Sequence, residues 1–324
     1  MKHSLKVLSA VAAVTAVALG LAGCAPSGDT STPASGAAYV PVQVGVGSDA
    51  AYAPFFIADQ EGLFKKAGLD VTLTPFASGG DALSALGAGQ IDLTMSSPAT
   101  ITSTIANNPK ITAFVQTVGL GKYNKVVLRK GIDSAKQVKN FGYVAGLSQY
   151  MAYGYLKSQG IDPTSVNWVP SGAADLPALL QRGDIDGFVV WQPWPSKVTA
   201  AGTGHVVGVA DDIPGVKLVN WLATTHDWID ANKSTAQALV KVLGDAMKIV
   251  KDDPDAAAKA VETAVAIKAT DAAGMLNEMD FGLAPITSDD VASTLKIGDF
   301  FVSIGAISKT PDLKSDLILD WSWN

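Results

Sequence analysis

Cysteine is almost absent: there is one, Cys24, in 324 residues. A single thiol excludes intrachain disulfides and any cysteine-based zinc site. Histidine is nearly as scarce, with only His3, His205 and His226. No HExxH pair or Cys/His cluster is therefore available to hold a catalytic metal. Basic charge is also short, at 24 Lys and Arg against 30 Asp and Glu, and no basic run exceeds two residues. A net charge of −6 argues against nucleic acid, whose phosphates call for clustered cations. There is no GxxxxGK[ST] phosphate loop. Gly119-Leu120-Gly121-Lys122 is only half of one, and Tyr123 stands where the hydroxyl should follow. GxSxG is missing too. These absences leave no catalytic constellation and no metal or cofactor site, so an enzyme is not expected.

The chain is 48% hydrophobic and 17% charged, enough to bury a core. Its longest apolar run, Val7–Leu21, follows Lys2 and Lys6 and is shorter than the ~20 residues of a membrane span. It ends in Leu21-Ala22-Gly23-Cys24, which looks like a bacterial lipobox. Residues 1–23 are expected to be a lipoprotein signal peptide. Cys24 is expected to become the lipidated mature N-terminus, anchored in a cell membrane and facing away from the cytoplasm. An ordinary signal peptide that happens to contain a cysteine is the alternative. Residues 24–38 are rich in Ser, Thr, Pro, Gly and Ala and read as a flexible tether.

Beyond the tether, a phrase repeats. Asp81–Thr100, DALSALGAGQIDLTMSSPAT, is echoed by Asp175–Trp194, DLPALLQRGDIDGFVVWQPW. Asp81, Leu86, Gly89, Ile91 and Asp92 align without gaps on Asp175, Leu180, Gly183, Ile185 and Asp186. Each copy reads as helix, turn, buried strand and a new helix start. Short apolar strands alternate with helices from Val40 to about Thr224, which implies mostly parallel sheets in two similar α/β lobes. From Ser234 onward the reading is helical, with Leu317–Trp323 packing back on the first lobe. In such sheets ligands bind beyond the carboxyl ends of strands, at helix N-termini.

Polar helix starts follow several of these strands. Ser48, Asp49, Ser78, Gly79, Ser96, Ser97, Ser148 and Gln149 supply hydroxyls, amides and free backbone N–H groups, which suit a compact anion. The plain alternative is that each serine caps only its own helix. Tyr52, Tyr150 and Trp191 stand at the same loops and suit an apolar wall. Tyr52 and Tyr150 hold matching places after the first strand of each lobe. No carboxylate is clearly placed for a ligand ammonium; Asp49 is the nearest candidate, and whether it or His226 meets ligand is left open.

The runs Pro54–Ala58, Glu61–Val71, Ser78-Gly79-Gly80, Gly89–Asp92 and Asp186–Pro193 resemble nitrate/sulfonate/taurine-type substrate-binding proteins of ABC importers. The resemblance covers most of residues 40–230. It implies a periplasmic-binding-protein-like fold with two crossovers. Lobe one would comprise residues 39–130 plus 215–324, and lobe two residues 131–214, with a helical C-terminal tail. It also implies a monomer whose lobes close on a small-molecule ligand and then dock on a permease and its ATPase. Carried over, the ligand contacts fall on Ser48–Tyr52, Ser78-Gly79, Ser96-Ser97, Ser148–Tyr150 and Trp191. An aliphatic sulfonate leads as ligand, with a neutral heteroaromatic such as a thiamine-pyrimidine precursor or a flavin as the alternative. Pyrimidine-synthesising enzymes share the fold, but the Cys-rich run they resemble one another in is missing here. A lipoprotein sensor or adhesion module that kept the fold is a further alternative.

Overall fold

A computed structural model of the chain describes residues 39–215 and 217–323. The signal segment, the tether and Cys24 lie outside the described residues. Among the described residues no helix is long and apolar enough to cross a membrane.

Two mixed sheets carry the fold. The first contains β1 (Val40–Gly47), β2 (Leu69–Phe76), β3 (Leu93–Ser96), β4 (Ile111–Gly119), β10 (Val219–Thr225) and β11 (Asp280–Pro285), in the order β11-β4-β10-β3-β1-β2. The second contains β5 (Asn124–Arg129), β6 (Asn140–Tyr143), β7 (Asn167–Pro170), β8 (Gly187–Trp191) and β9 (Gly204–Val209), in the order β7-β6-β8-β5-β9. β1 is parallel to β2 and β3, and β6 to β7 and β8. β10 runs antiparallel to β3 and β4, and β5 antiparallel to β8 and β9. The two α/β lobes are those expected from the strand and helix alternation, and their arrangement is the periplasmic-binding-protein-like one that the resemblance implies; the sheets are mixed rather than mostly parallel, because β5 and β10 run against their neighbours.

The repeated phrase has a structural reason. Asp92 Oδ2 accepts the Gln43 N–H at 2.7 Å, tying β3 to β1. Asp186 Oδ2 accepts the Lys139 and Asn140 N–H groups at 2.9 and 3.1 Å, tying β8 to β6. Each aspartate thus stands at the entry of the strand that follows the helix, β3 or β8, and clamps it to the first parallel strand of its lobe, β1 or β6. Gly89 and Gly183 make the turn before it with φ of 71° and 80°. Ile91 and Ile185 are buried beneath. Burial pushes the Asp186 carboxyl up. The Arg129 guanidinium at 2.8 Å and the two N–H groups outweigh this and hold it below the usual carboxylate range.

Two expectations are corrected. Asn124–Arg129, assigned to the end of lobe one, pairs between β8 and β9. The crossing into the second sheet therefore precedes Asn124. Apolar alternation marks a strand but not its sheet. The C-terminal third is not wholly helical either, since Asp280–Pro285 forms edge strand β11 against β4. A short stretch holding Gly282 and Pro285 carries little strand signal of its own.

The C-terminal helices pack where the alternation of apolar residues says they should. Lys233–Asp252 buries Ala236, Leu239, Val240, Leu243, Ala246, Met247 and Val250, a stripe at helical spacing. Trp321 packs edge-on against Phe114 of β4, with ring centroids 4.9 Å apart, and the Ile318 N–H donates to the Ala113 carbonyl. Leu317–Trp323 thus returns to the first sheet.

Candidate functional site

Strand direction places the site. β1, β2 and β3 end at Gly47, Phe76 and Ser96 on one edge of the first sheet. Antiparallel β10 starts at that edge, because Trp221 pairs with Ser96. In the second sheet β6 and β8 end, and β5 begins, on one edge, with Asn124 opposite Trp191. These two edges border one cleft.

The floor on the first-lobe side comes from three loops. Gly47, Asp49, Ala51 and Tyr52 follow β1; Ala77–Gly80 follow β2; Met95–Ser97 and Thr100 follow β3. Ser78 caps the helix Gly79–Gly87 by accepting the Asp81 N–H at 3.1 Å. Ser97 caps the helix Pro98–Ile105 by accepting the Thr100 N–H at 3.2 Å. Both hydroxyls therefore serve their own helices. The Gly79 and Gly80 N–H groups, at the first turn, have no intrahelical acceptor. The Ser96 hydroxyl lines the cleft and has no hydrogen-bond partner among the described residues. A Cβ at Gly79 would stand 2.4 Å from Ser96 Oγ, so glycine is needed where helix and strand end meet.

The facing wall is Val144, Ala145, Leu147 and Trp191 of the second lobe. Leu147 opens the helix Leu147–Ser158, whose N-terminus faces that of Pro98–Ile105. Gly146 lets the lobes approach: its φ is 90°, and a Cβ there would come within 2.8 Å of Thr100 Oγ1. The back is formed by the two crossovers, where the Leu120 N–H donates to the Leu218 carbonyl at 3.0 Å. They supply Leu120, Tyr123, Asn124 and Asn220 to the lining.

Asp49 is the one charged residue among those lining the cleft, with no Lys or Arg beside it. Its Oδ1 accepts the Ala51 N–H at 2.8 Å and the Tyr123 hydroxyl at 3.2 Å. Burial pushes its carboxyl up to about 6, against the pull of those two bonds. The Tyr123 hydroxyl is shared with the Gln192 carbonyl oxygen of the second lobe at 3.1 Å. Burial and the Asp49 charge raise the Tyr123 and Tyr52 hydroxyls above their ordinary values. The Tyr52 hydroxyl donates to the Met95 carbonyl at 2.7 Å, which leaves only its ring for the cleft. Behind the crossovers, Glu278 accepts Lys125 Nζ at 2.6 Å and Gln192 Nε2 at 3.4 Å, bracing the lobes.

Of the residues expected from sequence, Asp49, Tyr52, Ser78, Gly79, Ser96, Ser97 and Trp191 come together on the cleft. Ser48, Ser148, Gln149 and Tyr150 do not line it. Ser48 is exposed. The Ser148 hydroxyl is fully buried, donating to the Val189 carbonyl and accepting the Val144 N–H at 3.1 Å, so it fastens its helix to β8. The Tyr150 ring packs edge-on against Phe300 at 5.3 Å, outside the cleft. His226 opens the helix His226–Ala231 and is not part of the lining. Tyr123, Asn124 and Asn220 were missed. Their signal was their place on or next to the two crossovers, which must pass behind any cleft between lobes. Among the described residues no group of three or more His, Cys, Asp or Glu is placed to hold a metal ion.

The NMT1-like family matches residues 36–265. The nitrate import ATP-binding protein NrtC of Synechocystis is 28% identical over 123 residues, 37% of this chain and 18% of that one. The bicarbonate-binding protein CmpA of Synechococcus is 24% identical over 229 residues, 60% of this chain and 50% of that one. The chain thus spans at most half the length of these two relatives. The alkanesulfonate-binding protein SsuA of Xanthomonas axonopodis pv. citri, solved bound to MOPS, superposes with a TM-score of 0.78 at 15% identity. That match covers 86% of this chain and 98% of that one, and the likeness is one of fold.

Proposed function

The chain belongs to the NMT1-like family, and from that premise we propose that it is the extracytoplasmic substrate-binding component of an ABC importer. It takes a small organic anion, an aliphatic sulfonate first of all, and delivers it to a membrane permease and its ATPase. It works as a monomer, tethered through a lipid on Cys24 and residues 24–38, and it catalyses no reaction. The observation that carries this reading is the meeting of three helix N-termini on one cleft between two lobes. Those helices are Gly79–Gly87, Pro98–Ile105 and Leu147–Ser158. Their free N–H groups and the Ser96 hydroxyl suit a head whose charge is spread over several oxygens. Trp191, Leu147 and the Tyr52 ring suit an organic tail. Ligand bridging the two edges favours the closed arrangement, with the crossovers as hinge.

The lone carboxylate favours a second reading, a neutral heteroaromatic stacked on Trp191. A thermal-shift series on the purified protein separates the two, using C1 to C4 alkanesulfonates, nitrate, bicarbonate, aminopyrimidines and flavins. Ligand at a hundredfold excess over its dissociation constant adds about 2.7 kcal/mol. A shift with sulfonates is expected. A shift with pyrimidines or flavins and none with sulfonates overturns the anion head while keeping the transport role.

A further inference from the structure

The cleft holds two hydrogen-bond acceptors that the protein leaves without donors. Asp49 uses Oδ1 for both of its bonds, and Oδ2 has no partner among the described residues. Asn124 is fully buried at the start of β5, and its Nδ2 donates to the Leu120 carbonyl at 3.0 Å. That bond fixes the orientation of the amide and leaves Oδ1 as a buried acceptor with no partner. Acceptors left unpaired in a largely desolvated place are costly, so these two suit a donor supplied by the ligand. Asn220, 8% exposed and also without a side-chain partner among the described residues, lines the same back wall. Asp49 and Asn124 belong to opposite lobes, one following β1 and the other opening β5. Tyr123, next to Asn124 in sequence, already reaches Asp49.

Building on the binding-protein reading, we propose that Asp49 and Asn124 form a subsite for a proton-bearing nitrogen, and that the ligand carries an amino group. The rest of the cleft gives this its direction. N–H donors and the Ser96 hydroxyl stand at the starts of the three helices, Asn124 and Asn220 stand at the hinge wall, Asp49 on the first-lobe floor is tied to that wall through Tyr123, and no Lys or Arg lines the cleft. A ligand with acceptor oxygens at one end and an amino group at the other satisfies both ends. An amine held by both residues also bridges the lobes at the hinge, so the subsite selects the ligand and favours closure together. The amine's charge is matched by the single carboxylate, which an alkyl chain of the same length leaves unpaired in a dry site.

The test is calorimetric titration of the unmodified protein with matched probes at pH 7.5: 2-aminoethanesulfonate against ethanesulfonate, and 4-aminopyrimidine against pyrimidine. The amino member of at least one pair is expected to bind tenfold or more tightly than its partner. In Asp49→Asn that ratio is expected to fall to near one, with a thermal melt showing that the variant is folded. If only the pyrimidine pair binds and shows the preference, the amino subsite stands and the sulfonate reading falls. Equal affinities within each pair that binds, a preference kept in Asp49→Asn, or no binding of either amino probe overturns the subsite.

Discussion

Replacing Asp49 by Asn should make the empty protein more stable at neutral pH. The carboxyl goes from an ordinary 3.8 to about 6 on folding because burial disfavours its charge. At 1.36 kcal/mol per unit, a rise of about two units corresponds to at most about 3 kcal/mol of destabilisation once the group is ionised. Partial exposure to the cleft reduces this, so the expected gain is about 1–3 kcal/mol. Asn keeps the acceptor for the Ala51 N–H and the Tyr123 hydroxyl, and it is nearly the same size. For a chain of this length, 1 kcal/mol moves the melting temperature by about 2 °C, giving a rise of roughly 2–6 °C at pH 7.5. The native state holds the Asp49 proton longer than the unfolded state. Stability of the unmodified protein therefore falls as pH rises from about 4 through about 6. The advantage of the Asn variant should grow over the same interval and vanish near pH 4. Calorimetric melts of both proteins across pH 4–8 measure this directly. A variant no more stable than its parent at pH 7.5, or one whose difference is independent of pH, would refute the claim that the Asp49 carboxylate sits in a desolvated site.

Other perturbations reach other parts of the argument. Trp191→Ala should weaken ligand binding at least tenfold in titration calorimetry and leave far-UV circular dichroism unchanged; unchanged affinity assigns the ring to packing. Asp186→Ala strands Arg129 and two backbone N–H groups and should cost about 2–4 kcal/mol in urea unfolding at pH 7. Because the folded carboxyl titrates below its unfolded value, that contribution should be present above the unfolded pKa and fade as pH falls through the folded one. An equal difference at pH 7 and well below that point would contradict it. Phe300→Ala removes a ring that packs on Tyr150 and Tyr153 across the lobes, at 5.3 and 5.0 Å. It should weaken ligand binding several-fold with no contact to ligand, together with a larger radius of gyration by X-ray scattering. Cys24→Ala should move the protein from the membrane fraction to the soluble one; retention in the membrane would make Val7–Leu21 the anchor.

Much of the fold could be read because its signals are local. Gly-x-Ile-Asp at 89–92 and again at 183–186 marks a turn, a buried residue and a strand clamp, all within four positions. The spacing of apolar residues in Lys233–Asp252 and the serine caps at Ser78 and Ser97 were legible for the same reason. What failed was pairing at a distance. Asn124–Arg129 reads as a strand whichever sheet it joins, and only its partners β8 and β9 decide the matter. Edge strand β11 depends on β4 far away along the chain rather than on its own residues. Ser148 followed a strand and opened a helix like Ser97, so sequence treated the two alike. Tertiary packing turned Ser148 inward onto Val189.

By itself the sequence determined the two-fold α/β plan, the loops that end the parallel strands, and the want of a Cys/His cluster or a phosphate-loop motif. Periodicity, caps and composition are properties of neighbours along the chain, and these conclusions needed nothing more. Only the tertiary structure decided which of those loops meet. It brought Asp49, Ser96 and Trp191 to one cleft, kept Tyr150 out of it, and added Tyr123, Asn124 and Asn220 from the crossovers. It also decided that Asp49 lies in a desolvated place with one oxygen free. Desolvation and unpaired acceptors are set by what packs around a group, and Asp49 is met by Tyr123 from far along the chain.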